Sequence, residues 1–166
     1  MIDNIWLCEP NDARESWCFL ELKLKKQDAN DVISGWEATY ANPNRVVHKA
    51  NDTRSDEKES LKKLFFHIYR CRKKEIPIIT FGSNVIPVLR TRILCQGIRD
   101  ESLRSVKTIS LQKILQDYFC FDNDNSILSA SDFVAGLKIE QGNATETELL
   151  YDVFTRIGPL LPAGVI

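Results

Sequence analysis

Leu20, Leu22 and Leu24 alternate with Phe19, Glu21, Lys23 and Lys25, a period of two that predicts a strand over 17–25. Extended runs flank it at 4–8 (NIWLC) and 34–41 (SGWEATYA), with polar turn material between, so an antiparallel three-strand meander is expected. The stretch NPNRVVHKANDTR, 42–54, has the Asn, Pro and Asp content of a loop. From Asp56 the period becomes helical. Leu61, Leu64, Phe65, Ile68 and Tyr69 fall on one stripe, with Asp56 as N-cap and Glu59 three residues on.

Pro77 then opens PIITF, a continuous apolar run of the kind that forms a central strand covered on both faces. It is expected beside the first strand, with the 56–74 helix as crossover. A second helix follows Asn84, with Val88, Leu89, Ile93 and Leu94 inward and Gly97 as its stop. Further helices are expected at 109–119, near 129–137 and at 145–157, the last opened by a Thr145/Glu148 capping box, with a short strand near 103–108. Strands followed by alternating helices and strands make an α/β plan with a mixed sheet.

The chain of 166 residues fits one domain over 1–166. No apolar run approaches the roughly 20 residues needed to cross a bilayer. The opening MIDNIWLCEPND lacks a basic n-region and an apolar h-region, so no signal peptide is expected. Five cysteines, widely spaced and never in a CxxC pair, suggest neither a disulfide framework nor a zinc knuckle, and reduced thiols in a cytoplasmic setting are expected. The net charge of −1 conceals an asymmetry: residues 55–107 carry 12 basic against 6 acidic side chains, while 108–166 carry 3 against 8. A basic middle can meet phosphates, although a solvated lysine-rich helix face has the same composition.

The order of elements, with PIITFGSNVIPVLRTRILCQGI and LLYDVFTRI at their places in it, resembles the ribonuclease-H-like fold as used by the DEDD-type 3′–5′ exonucleases, the family that includes the exonuclease domain of family-B DNA polymerases. PIITFGSNVIPVLRTRILCQGI is similar to the second exonuclease motif, a strand ending in an Asn-Gly-like turn, then an Asp and a Pro-x-Leu helix start. LLYDVFTRI is similar to the third, whose Asp lies on the last helix. The resemblance implies a three-layer fold with a mixed central sheet, two divalent cations (Mg²⁺ or Mn²⁺) and single-stranded DNA or RNA as partner. Two cations roughly 3.5–4 Å apart need oxygen ligands to activate water and hold the leaving oxygen, which is why the family uses four carboxylates.

Two of the four are matched. Glu9 in WLCEP stands at the second acid of the first strand, with Leu7 at the first, and Asp152 matches the third motif. Asn84, Val85 and Ile86 occupy the place of the second-motif Asp. An alternative register on FLELK puts Glu21 at the first acid and Lys23 at the second. Glu9 and Asp152 are therefore the candidate metal and catalytic ligands, and weak metal binding is expected. Asn84, Arg90, Arg92, Lys73 and Lys74 are the candidate nucleic-acid contacts. His48 and His67 show no ligand spacing, and the tryptophans and Phe65-Phe66 are assigned to the core. Three functions stay open at this point: a nuclease fold without catalysis that binds nucleic acid or a protein, an active exonuclease with substituted ligands drawn from Glu21 or Asp132, and a protein-interaction module unrelated to nucleic acid.

Overall fold

Trp17 and Phe19 turn to one side of their strand and Cys18 and Leu20 to the other, and all four are buried. Apolar residues on both faces make this a central strand. The structure is a computed structural model that describes residues 14–99, 101–120 and 145–165. The strand is β1, Trp17–Gln27, and it turns through Asp28 and Ala29, both at positive φ (50° and 65°), into β2, Asn30–Ala41. Two left-handed residues match the right-handed twist of a hairpin, although Ala29 takes this conformation without a glycine's freedom. A bulge follows where Lys23 faces Gly35 and Leu24 faces Ile33, and Ser34 donates its hydroxyl to the Lys23 carbonyl at 3.1 Å. Gly35 is needed there, because a Cβ would lie 2.6 Å from the Asp52 carbonyl oxygen.

The third strand of the meander, β3, is Val46–Asp52, inside the stretch expected as a loop. The Asn42–Arg45 turn and the bend at 53–54 are loop-like, the Asn42 side chain accepting from the N–H groups of Asn44 and Arg45 at 2.9 and 3.0 Å. Asp52 closes the strand by accepting from Arg54 and Ser55 N–H groups at 3.0 and 3.1 Å. The antiparallel part of the sheet is thus 17–27, 30–41 and 46–52, while the expected 4–8 strand and 129–137 helix lie outside the described residues.

Helix α1, Glu57–Lys73, starts as expected from Asp56, which accepts the Glu59 N–H at 2.9 Å. It leads to β4, Ile78–Thr80, which pairs parallel with β1 through Cys18↔Ile78 and Phe19↔Ile79. Next come α2, Val85–Cys95, α3, Glu101–Ser105, and β5, Thr108–Ser110, parallel to β4. Helix α4, Leu111–Phe119, and α5, Glu146–Ile157, complete the described helices, with a 3₁₀ turn at Gly158–Leu160. The Thr145/Glu148 capping box is present.

The sheet order is β3-β2-β1-β4-β5, so the PIITF strand is interior, between β1 and β5, and its expected partner is corrected: it runs parallel to the 17–27 strand, where the 4–8 segment was expected. One face packs Trp17, Phe19 and Ile79 against Leu115 of α4 and Leu150 and Phe154 of α5. The other packs Cys18, Leu20, Trp36 and Tyr40 against Leu61, Leu64 and Ile68 of α1, with Leu89 of α2 and Leu103 of α3. This is an α/β molecule with a mixed five-strand sheet between helices, compatible with a three-layer plan. Three inward assignments are corrected. Leu94 is 65% exposed, Phe66 is 65% exposed and Tyr69 is 49% exposed, whereas Trp17 and Trp36 do lie in the core. No helix among the described residues is long and apolar enough to cross a membrane.

Candidate functional site

The turn that follows β4 is braced by its neighbours. The Phe81 carbonyl accepts from the Gln112 N–H at 2.9 Å and the Ser110 hydroxyl at 3.1 Å, and the Ser83 N–H reaches the Gln112 side-chain oxygen at 3.4 Å. Thr80 donates its hydroxyl to the Gly82 carbonyl at 3.2 Å. Asn84 is exposed at the N-cap of α2 without a side-chain capping bond, its Oδ1 lying where a Cβ on Gly82 would come within 2.6 Å. Protein groups from the start of α4 therefore hold this turn, and it carries no carboxylate between Phe81 and Ile86.

The carboxylates gather one layer away. Glu21 on β1 and Glu37 on β2 are directly opposed, and both line a cleft of about 510 Å³ together with Leu22, Lys23, Leu24, Thr145 and Glu146. Like charges opposed across a sheet repel, and the site relieves this by protonation. Burial, then the hydrogen bond with the Glu146 carboxyl, then the charges of Glu146 and Glu37 push the Glu21 carboxyl up to about 9, with Lys23 acting against them. Glu21 accordingly holds a proton at neutral pH. Glu37 is held from the other side by the Thr147 hydroxyl, which is also 2.8 Å from that of Thr39. Glu148 pairs with Lys49 of β3 and accepts the Thr145 N–H at 2.9 Å. These contacts sew the first turn of α5 onto β1, β2 and β3.

The cleft was legible only in part. Glu21 lies on the alternating strand, and with Asp28-Ala29 as a two-residue turn it falls opposite Glu37 to within the one-residue bulge. The position of Glu146 depends on where α5 crosses the sheet, which no local pattern records.

The expected site residues that are described lie on separate elements: Asn84, Arg90 and Arg92 at α2, Lys73 and Lys74 at the end of α1, and Asp152 on α5. Glu9 lies outside the described residues. Asp152 is half-buried on α5 next to Tyr151, whose ring meets Phe19 at 5.8 Å, and it does not line the cleft. Burial raises its pKa, opposed by Arg156. Arg92 is committed elsewhere: its guanidinium Nε lies 3.1 and 2.9 Å from the two oxygens of Glu57. Arg90 is exposed on the same helix. Lys73 and Lys74 sit at the far end of α1 from Glu57, sixteen residues or about 24 Å of helical rise away from Arg92's partner, so these lysines and Arg92 do not share one groove. Lys74 approaches Glu15 at 4.0 Å, beside the Arg70–Glu15 pair at 2.7 Å.

Among the described residues, no group of three or more His, Cys, Asp and Glu side chains is placed to hold a metal ion. The residues present there do not fit a two-cation cage. The cleft can hold a proton between paired carboxyls and offers Lys23 as a built-in cation. No family model and no curated protein matches this chain.

Proposed function

We propose that this chain is a ribonuclease-H-like domain of the exonuclease type that binds nucleic acid, or a protein partner, without two-metal cleavage. The observation that carries the proposal is the sheet order β3-β2-β1-β4-β5, three antiparallel strands followed by two parallel ones, with helices on both faces. It is the strand order expected of that fold, and it puts the turn at 82–84 beside β1, where the exonuclease reaction would need its acids.

The observed β1 favours the FLELK register of the first motif. In that register Glu21 takes the place of the first acid and Lys23 that of the second, and an ammonium beside Glu21, Glu37 and Glu146 supplies positive charge that a metal would otherwise bring. With Asn84 at the second motif and Asp152 away from the cleft, the described residues leave water without an activating cage. What remains is a surface for binding, and the 12 to 6 excess of basic side chains over 55–107 favours a polyanion.

The direct test is incubation of a 5′-labelled single strand with the protein in Mg²⁺ and then Mn²⁺. No shortened product above the protein-free control is expected. A metal-dependent ladder that Glu21→Gln abolishes would revive the enzyme with substituted ligands.

A further inference from the structure

Five side chains of α1 form one outward stripe. Lys58, Lys62, Phe66, Tyr69 and Lys73 follow one another at spacings of four, four, three and four residues, which puts them within an arc of about 80° at 3.6 residues per turn. All five are exposed, Phe66 by 65% and Tyr69 by 49%. The stripe lies opposite the buried side of the helix, Leu61, Leu64, Ile68 and Cys71. Two aromatic rings stand at its centre and lysines at both ends, over about 22 Å of helical rise from Lys58 to Lys73.

From this we infer that the outward face of α1 is the docking surface for a single-stranded polynucleotide, its bases stacking on Phe66 and Tyr69 and its phosphates meeting Lys58, Lys62 and Lys73. The inference rests on the nucleic-acid reading above and gives it a place different from the turn and the α2 arginines. Charge complementarity selects the occupant. Helix α1 carries six basic and two acidic side chains, and one of those acids, Glu57, is spent on Arg92. Lys62 pairs with Glu59 at 2.9 Å, both side chains being more than half exposed, a contact water screens and a phosphate can displace. An ordinary apolar partner would not be matched by lysines at both ends of an aromatic pair. A polyanion with flat rings is, because every base has a face to stack and every linkage a charge.

A duplex hides its bases, so the single strand is the form recognised. Two neighbouring basic groups are engaged otherwise: Lys63 binds Asp52 at 2.8 Å, and Arg70 lies over the Tyr40 ring at 4.6 Å while holding Glu15.

The test is fluorescence anisotropy with labelled oligo-dT and oligo-rU and a mixed-sequence duplex, using the full chain and two double variants, with circular dichroism to establish that each is folded. Phe66→Ala with Tyr69→Ala should weaken single-strand binding roughly tenfold or more, since each stacked base contributes substantially, and leave the salt dependence unchanged. Lys62→Gln with Lys73→Gln should instead flatten the slope of log affinity against log salt by about 1.4, two contacts at roughly 0.7 each. The duplex should bind more weakly than either single strand, and the ratio between oligo-dT and oligo-rU tells whether a 2′-hydroxyl matters. Parent binding that both double variants retain would overturn this surface and leave the nucleic-acid reading standing. Absence of any parent binding at low salt would overturn both and favour an acidic protein partner.

Discussion

The Glu57 carboxylate grips the Arg92 guanidinium through both of its oxygens and at the same time accepts the Ile33 N–H at 2.6 Å and the Gln96 side-chain amide at 2.6 Å. One carboxylate therefore joins the first turn of α1 to β2 and to the end of α2. Burial works against its charge, yet the hydrogen bonds from Arg92, Gln96 and Ile33 hold its pKa below the ordinary value. With side chains only 7% and 16% exposed, this is a buried pair and not a phosphate site.

Arg92→Leu should cost about 3 kcal/mol, because it strands a buried carboxylate, whereas Arg90→Ala on the exposed side of α2 should stay within about 0.5 kcal/mol of the parent. Urea unfolding of the two variants separates them. Equal and small losses would mean that the pair is not formed in solution.

Strand alternation, the Asp56 cap and the Thr145/Glu148 box were legible because each is set by residues within a few positions of one another, and PIITF was legible as a buried strand, but its partner was not, since Cys18 and Ile78 pair across sixty positions. Strand β3 was not. Asn42, Pro43 and Asn44 are strong turn residues, and they masked the extended VVHKAND that follows them. Phe66 and Tyr69 were placed inward because an aromatic residue is usually buried, yet at 3.6 residues per turn Phe66 stands about 140° around the helix from Leu61 and about 160° from Leu64. The acid cleft depended on contacts between residues more than a hundred positions apart, such as Glu37 and Thr147, and no motif encodes those.

The Glu21 carboxyl makes stability fall as pH rises from about 4.5 to about 9. Its folded value of about 9 lies above the unfolded value of 4.5, so the folded state holds the proton more tightly. The contribution is complete below about pH 4.5 and is lost as pH rises through 9. Glu21→Gln should therefore melt at a temperature close to the parent's at pH 5 and above it at pH 9.5. Identical melting curves at pH 9.5 would show that Glu21 is not strained by its neighbours.

At the hairpin tip, Ala29→Gly should stabilise the protein by about 1 kcal/mol, since it removes the steric cost of a β-carbon at φ 65°. Chemical denaturation gives the difference directly. A loss of stability would show that the turn has another conformation in solution.

The Tyr40 hydroxyl lies 2.8 Å from Nδ1 of His67 and 3.8 Å from the Cys71 sulfur, and Tyr40 is fully buried. Tyr40→Phe should cost about 1 kcal/mol by leaving His67 without this bond, while the ring and its contact with Arg70 remain. Thermal unfolding at neutral pH is the check, and a neutral substitution would mean that water replaces the hydroxyl.

Binding of a single strand at two salt concentrations tests the central claim most directly. Anisotropy of a labelled oligonucleotide at about 50 and 200 mM salt should show micromolar affinity at the lower concentration and a fall of roughly 20-fold at the higher, the drop expected for about three phosphate contacts. No binding at the lower concentration, or an affinity indifferent to salt, would contradict a nucleic-acid-binding domain.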